Sequence, residues 1–309
     1  MSGIRLRLPA TSANVGPGFD ALALALKLYL EIEAHPAAET SIRASGRNAD
    51  VCSALENNLL VETYRKTLAG AGRPFAPLAI TMRNEIPLGM GCGSSAAVLL
   101  AGVALAAHVG KLGWDREQIL TEAARLEGHP DNVAACWMGG FAASATCGDR
   151  LRAVTLTPPA AWRAVLVLPE RPLATAVSRA ILPDRYGRSD VVANLQSVAL
   201  LTLAFATGRG DLIADAMRDR LHQPYRAKEC PLLPTLLPLA GEAGILGVAL
   251  SGAGPGVLLL AESERVAAGA EHRVRAAAAG TGVDAGLAAM GIEILICGLE
   301  NTATRLETI

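Results

Sequence analysis

Glu85-Ile-Pro-Leu-Gly-Met-Gly-Cys-Gly-Ser-Ser-Ala-Ala97 combines a proline, glycines at 89, 91 and 93, a serine pair and the start of an alanine- and leucine-rich segment. Glycine lets a backbone turn at positive φ and approach a ligand without a Cβ clash. Ser94 and Ser95 stand where the next helix begins, so its unpaired amides and positive dipole end face the loop. Such a loop suits an anion, most naturally phosphate; the structural alternative is a glycine turn into a buried helix. The lysine of a P-loop is missing, since none occurs between Lys66 and Lys111. Gly91, Gly93 and Ala96 fit the spacing of a dinucleotide fingerprint, but the context does not. A helix from Ser94 to about Val109 is followed by a second helix opening at Trp114-Asp115, not by a parallel strand ending in an acidic residue.

Pro87, Gly91, Gly93, Ser94, Ser95 and Ala96 match the pattern P-x-x-x-G-L-G-S-S-A, so the stretch resembles the phosphate loop of the GHMP small-molecule kinases. Cys92 replaces the usual leucine and should alter packing more than phosphate contacts. The resemblance implies that Pro87, Leu88, Gly89, Met90, Gly91, Cys92, Gly93, Ser94, Ser95, Ala96 and Ala97 cradle the phosphates of ATP.

With 309 residues the chain has room for two domains or one large one. A net charge of −1 without a lysine/arginine block does not suggest a nucleic-acid partner. Apolar residues make up 51%, yet charge, Gly or Pro interrupts every run before the roughly 18 residues of a membrane span. Met1–Leu8 lacks the apolar core of a signal peptide and alternates as a first strand. Six scattered cysteines without a C-x-x-C read as buried thiols of a cytoplasmic protein.

Ile4–Leu8 leads into Pro9-Ala-Thr-Ser-Ala-Asn-Val-Gly-Pro-Gly-Phe-Asp20, a polar, turn-rich loop. Alternation resumes over Ala21–Ala34, with Leu22, Leu24, Leu26, Leu28, Leu30 and Ile32 on one face. Asn14 and Asp20 either bond their own backbone or serve a site. The segment P-A-T-S-A-N-V-G-P-G-F-D resembles the N-terminal signature of homoserine kinases, a branch of the GHMP family, and implies that Asn14 and Asp20 face an amino-acid substrate. Asn57-Asn58 precede a helix over about Leu59–Ala69 and suit N-caps; the resemblance places Asn58 near the adenine. Leu78–Arg83 reads as the strand that delivers the phosphate loop.

Asp115 is a good N-cap for a helix to Leu126, which runs into Glu127-Gly-His-Pro-Asp-Asn132. On structural grounds Gly128 ends one helix, Pro130 starts the next, and Asp131 or Asn132 caps it. On functional grounds Glu127 supplies the hard oxygen that Mg²⁺ needs beside phosphates, and Ser95 a second. His129 and Asn132 could then orient the acceptor, and no partner ligands suit zinc. The string L-E-G-H-P-D-N again resembles homoserine kinases, where the glutamate holds the metal and the histidine and asparagine contact the amino acid.

Gly139–Thr146 reads as a strand closing the first half, and Thr157-Pro-Pro-Ala-Ala161 as the domain boundary. Beyond it come a strand at Arg163–Leu168 and helices near Ala174–Leu182, Ser189–Thr207 and Asp211–Arg220. Strands at Gly247–Leu250 and Val257–Ala261, a helix at Arg265–Ala279 and a strand at Ile292–Cys297 follow, the order of a split βαβ layer. Thr175 and Arg179 sit one helical turn apart, and Arg226 lies in His-Gln-Pro-Tyr-Arg. Both segments resemble the family's substrate-carboxylate clamps, a task suited to guanidinium forks. Ser251-Gly-Ala-Gly-Pro-Gly256 resembles the family's third motif, with Gly252 approaching the substrate and Gly256 replacing the usual threonine or serine.

The resemblance implies an α+β, two-domain GHMP kinase fold. Residues 1–157 would form a ribosomal-S5-like ATP-binding domain and 158–309 a ferredoxin-like domain completing the substrate site. It implies ATP and Mg²⁺ as cofactors, L-homoserine as acceptor and a homodimer. Asn14, Asp20 and Asn132 would place the hydroxyl, while His129, Thr175, Arg179, Arg226 and Gly252 bind the rest. A kinase for another small alcohol (threonine, mevalonate or shikimate) and a regulator that binds nucleotide without transfer are the alternatives.

Overall fold

The computed structural model describes residues 3–171, 175–280 and 291–309, apart from the side chains at 175–177, 279 and 280. The chain opens with β1 (Ile4–Ala13), in which Ile4, Leu6 and Leu8 are buried and Arg5 and Arg7 exposed. It pairs antiparallel with β2 (Leu22–Pro36). Opposite Pro9 and Ala10 the register jumps from Tyr29 to Leu26, leaving Lys27 and Leu28 as a bulge. Leu28 is therefore only half-buried, and the even-numbered leucine face is interrupted there.

β4 (Leu78–Asn84) joins one end of β2, and β5 (Phe141–Cys147) the other. β3 (Ser41–Gly46) adds to β4 in parallel, after which α1 (Ala49–Ser53) and α2 (Leu59–Gly70) cross back to β4. β5 continues into a hairpin with β6 (Arg150–Leu156). β3 and β6 have no counterpart in the sequence reading: the apolar face of β3 is only Ile42 and Ala44, both half-buried.

Behind this sheet lies α3 (Ser94–Val109), apolar nearly all round and buried from Ala96 to Ala107 except at Val98. α2 and α4 (Arg116–Glu127) pack against it. Asp115 and Gln118 form a capping box at the start of α4, and Gly128 in the left-handed region ends it. α5 (Asp131–Met138) starts directly after Pro130. Two turns of chain therefore suffice to carry Glu127, His129 and Asn132 toward the mouth of α3.

After the Thr157–Trp162 connection, β7 (Arg163–Pro169) begins a second sheet. α6 (Thr175–Ala180), α7 (Arg188–Thr207), α8 (Ile213–Ala216), α9 (Gln223–Arg226) and α10 (Leu232–Leu236) intervene before β8 (Ile245–Leu250) and β9 (Val257–Ala261). α11 (Glu264–Gly280) and β10 (Ile292–Gly298) complete it. The strand order is β10-β7-β9-β8 with every pairing antiparallel, the ferredoxin-like arrangement of a split βαβ layer. The helix expected over Asp211–Arg220 is shorter, a 3₁₀ turn followed by α8. Of the helix expected over Ala174–Leu182, Ala174 lies outside the described residues. The final strand, β11 (Leu306–Thr308), crosses back and pairs with β1, so the end of the 158–309 segment belongs to the first sheet.

α7 is long and apolar enough to cross a membrane by length and composition. It buries Leu201, Ala204 and Phe205, and Phe205 stacks on Phe141 with ring centroids 4.0 Å apart. Asn194 on the same helix donates to Pro17 O at 2.8 Å, anchoring the polar loop that follows β1.

Candidate active site

Three glycines shape the loop between β4 and α3, with φ of 69°, 74° and 69° at Gly89, Gly91 and Gly93. Two of them also lie against other segments. A Cβ on Gly91 would stand 2.0 Å from Ser251 O, and one on Gly93 would stand 1.9 Å from Thr11 Oγ1. Ser251 Oγ donates to Gly91 O at 2.7 Å, while Thr11 N–H donates to Cys92 O at 3.0 Å. The end of β1 and the turn after β8 thus hold the loop from both sides. The first α3 amide with a helical acceptor is Ala97 N–H, to Gly93 O at 3.1 Å; those of Ser94, Ser95 and Ala96 project from the helix end.

These amides open onto a cleft of about 200 Å³. Gly89, Gly91, Cys92, Gly93, Ser94 and Ser95 line it, whereas Pro87, Leu88, Met90, Ala96 and Ala97 lie behind. Cys92 is buried, and burial pushes its thiol up to about 12. Gly256 packs behind the loop: a Cβ there would stand 2.5 Å from Met90 O and 2.9 Å from Leu168 Cδ2. The threonine or serine that the resemblance leads one to expect has no room in this backbone. Asn58 is not a lining residue. Its Oδ1 accepts from Leu60 N–H and Val61 N–H, and its Nδ2 donates to Cys52 O and Ala54 O, so it acts as the α2 cap.

On the next wall, Ser95 Oγ donates to Glu127 Oε2 at 3.0 Å. Burial pushes the Glu127 carboxyl above its usual range, against the opposing pull of His129 and Ser95. His129 Nδ1 lies 2.7 Å from Asp131 Oδ1, and its Nε2 lies 3.9 Å from Glu127 Oε1. Burial alone would lower the imidazole, but the bond to Asp131 and the charges of Asp131 and Glu127 carry it above its usual value. Asn132 Oδ1 accepts from Thr11 Oγ1 at 2.6 Å. Asp20, His129 and Asp131 also bring ligand atoms within 4.8 Å of one another. Both Asp20 oxygens are already bound by Arg179, and Asp131 Oδ1 serves His129 and Asn132 N–H, so Ser95 and Glu127 fit a cation better.

The third wall comes from the loop after β1 and from the second half of the chain. Arg179 grips Asp20 with two bonds of 3.0 and 2.6 Å. Arg226 is 1% exposed and lines the same cleft. Its Nε donates to Ser178 O at 3.1 Å, and Nη1 meets His222 Nδ1 at 3.0 Å. No carboxylate pairs with it among the described residues. Burial and then the like charge of Arg179 hold its pKa below the ordinary value. Asn14 lines the cleft; its Oδ1 accepts from Asp20 N–H and its Nδ2 donates to Gly252 O, which leaves one N–H and one lone pair for a ligand. The two bonds also hold the loop in shape. The Thr175 side chain lies outside the described residues.

Sequence reasoning passed over Phe19 and His222, and treated Asp131 only as a cap. Phe19 stacks on His222 with centroids 5.3 Å apart, and both arginine guanidiniums lie within 6 Å of its ring, at 5.7 and 5.4 Å. All three residues lie inside motifs already singled out, so membership of those motifs was the available signal.

The family models describe the same layout: one for the GHMP kinases N terminal domain matches residues 58–140, and one for the GHMP kinases C terminal matches 201–280. The homoserine kinase of Solibacter usitatus (strain Ellin6076) is 47% identical over 262 residues, 84% of this chain and 86% of its own length. A homoserine kinase of Thermus thermophilus is 43% identical, with 84% and 87% covered. The crystal structure of homoserine kinase from Cytophaga hutchinsonii superposes with a TM-score of 0.82 at 26% identity, over 99% of this chain and 98% of that one. The chain belongs to the homoserine kinases of the GHMP kinase family.

Proposed function

We propose that the protein transfers the γ-phosphoryl group of ATP to the side-chain hydroxyl of L-homoserine, giving O-phospho-L-homoserine, a step of threonine biosynthesis. The observation that carries this reading is Arg226. A guanidinium 1% exposed and lacking a carboxylate partner is costly, and here it opens onto the cleft that holds the free amides of α3. An acceptor bearing its own carboxylate would neutralise Arg226 while its hydroxyl points at a phosphate on those amides.

In this mechanism the acceptor oxygen attacks the γ-phosphorus, the bond to the β,γ-bridging oxygen breaks, and ADP leaves. Protein groups contribute placement and charge more than covalent chemistry. Asp20 accepts the hydroxyl proton as the new P–O bond forms. Its carboxylate is held by Arg179, so an acceptor carboxylate that draws on the Arg179 fork would free Asp20 for that task. His129 and Asn132 border the same space and would orient the acceptor, with Asn132 fixed through Thr11. Glu127 and Ser95 suit Mg²⁺: a buried carboxylate beside a hydroxyl is a hard-oxygen pair. The ion would offset phosphate charge.

At about 200 Å³ the cleft suits a small acceptor and a phosphate tail, so the nucleotide base would lie beyond it. The six unpaired cysteines accord with a cytoplasmic location. Apolar side chains that α7 leaves exposed, Val192, Leu195 and Leu203, offer a surface for the homodimer.

The test is ADP release with L-homoserine against L-threonine, L-serine, mevalonate and shikimate. Preference for L-homoserine is expected, and turnover confined to one of the other acceptors would refute the reading. ATP binding without turnover on any of them would favour a regulator. Glu127→Gln should cut activity by about 10²–10³-fold and raise the Mg²⁺ requirement; a wild-type Mg²⁺ dependence would remove Glu127 as a ligand.

A further inference from the structure

Around Arg226 lies a buried polar assembly that the phosphoryl transfer itself does not use. Asp219 is fully buried at the start of α9, and its carboxylate accepts Leu221 N–H at 3.0 Å, His222 N–H at 2.9 Å and Gln223 N–H at 2.6 Å. Those three bonds fix the backbone that carries His222. The His222 ring is likewise buried, stacked on Phe19, with Nε2 2.7 Å from Gly16 O and Nδ1 3.0 Å from Arg226 Nη1.

Both partners dictate the imidazole's state. A peptide carbonyl can only accept, so Nε2 must carry the proton; a guanidinium can only donate, so Nδ1 must present its lone pair. One tautomer, neutral and protonated at Nε2, satisfies both contacts. With Nη1 aimed at His222 and Nε at Ser178 O, the Arg226 guanidinium plane is set, and Nη2 has no partner among the described residues.

We propose that His222 is a positioning residue for acceptor recognition: as the neutral Nε2–H tautomer it bridges Gly16 O to Arg226 Nη1 and holds the guanidinium for the acceptor's carboxylate. The bridge spans 206 residues of chain. It therefore couples the loop carrying Asn14, Phe19 and Asp20 to the carboxylate contact made by the other half. This inference rests on the function proposed above, and deepens it.

Two variants divide the bridge. His222→Asn can still present an oxygen near the Nδ1 position to Arg226 but loses Gly16, whereas His222→Gln can donate near Nε2 but loses the acceptor for Arg226. His222→Phe keeps the stacking on Phe19 and loses both bonds. Steady-state kinetics with saturating MgATP should show KM for L-homoserine rising by about 10–100-fold in His222→Phe and nearly as far in His222→Gln, with a smaller rise in His222→Asn. KM for ATP should stay within about twofold and kcat should change far less than KM for L-homoserine.

Equal KM for L-homoserine across wild type, Asn and Gln variants would overturn the proposal. So would a fall in kcat with both KM values unchanged, the mark of a smaller folded fraction; should the Phe variant not fold, the Asn/Gln comparison still decides. The wild-type enzyme assayed with 3-aminopropan-1-ol, which lacks the carboxylate, keeps the two readings apart. If that compound works as well as L-homoserine, carboxylate recognition fails, whatever His222 does.

Discussion

The two sides of the cleft are built by opposite means. The side proposed to hold phosphate is one continuous stretch, Gly89–Ser95, and presents mainly backbone: its glycines allow the curvature. The acceptor side is assembled from separate pieces, the loop after β1, α6, α9 and the turn after β8, and works through side chains. Amides recognise any phosphate in the right place, so economy of sequence suffices there. Discrimination among small alcohols requires charged groups at defined distances, and these must be carried in from several elements.

Mutations should respond accordingly. Asp20→Asn strikes the side-chain wall at the reacting hydroxyl, and kcat should fall by about 10²–10⁴-fold with KM for ATP nearly unchanged. An unchanged kcat would remove Asp20 from the transfer step. Gly93→Ala strikes the backbone wall. The added methyl meets Thr11 Oγ1 at 1.9 Å with φ at 69°, and should cost about 2–4 kcal/mol of stability together with weaker ATP binding, read by urea unfolding and ATP titration. A variant as stable as wild type would mean that this loop is not clamped.

Smaller effects sharpen the contrast. Asn58→Ala removes the α2 cap and should cost about 1 kcal/mol of stability without altering KM for ATP; a tenfold rise in that KM would place Asn58 at the nucleotide after all. Ser94→Ala leaves the amide in place, so kcat/KM for ATP should stay within about threefold. A larger drop would show that a hydroxyl, not the backbone, does the holding at this position.

Legibility followed the same division. The glycine loop, its helix and the Asp115 cap could be read because each depends on neighbours in sequence. Glu127 and Ser95 were paired from chemistry and lie 3.0 Å apart. Other features depend on distant chain. The bulge at Lys27–Leu28 shows only in the pairing with β1, and the Arg179–Asp20 pair joins residues 159 apart. Asn58 fitted two roles by sequence; its bonds to Leu60 N–H, Val61 N–H and the carbonyls of Cys52 and Ala54 establish the cap, and a place near the adenine is compatible with it. β3 escaped notice because only Ile42 and Ala44 turn inward and neither is fully buried, so its alternation is short and weak.

Gly256 has a wider bearing. With no atom beyond its backbone, it lets the turn after β8 nest against the carbonyl of Met90, while Ser251 supplies the proton that Gly91 O accepts. The glycine-rich loop is accordingly not a portable cassette. Grafted into a scaffold without the 251–256 turn it would lose its outer buttress, and bulkier residues introduced at 256 would push it out of shape from a position that does not line the cleft.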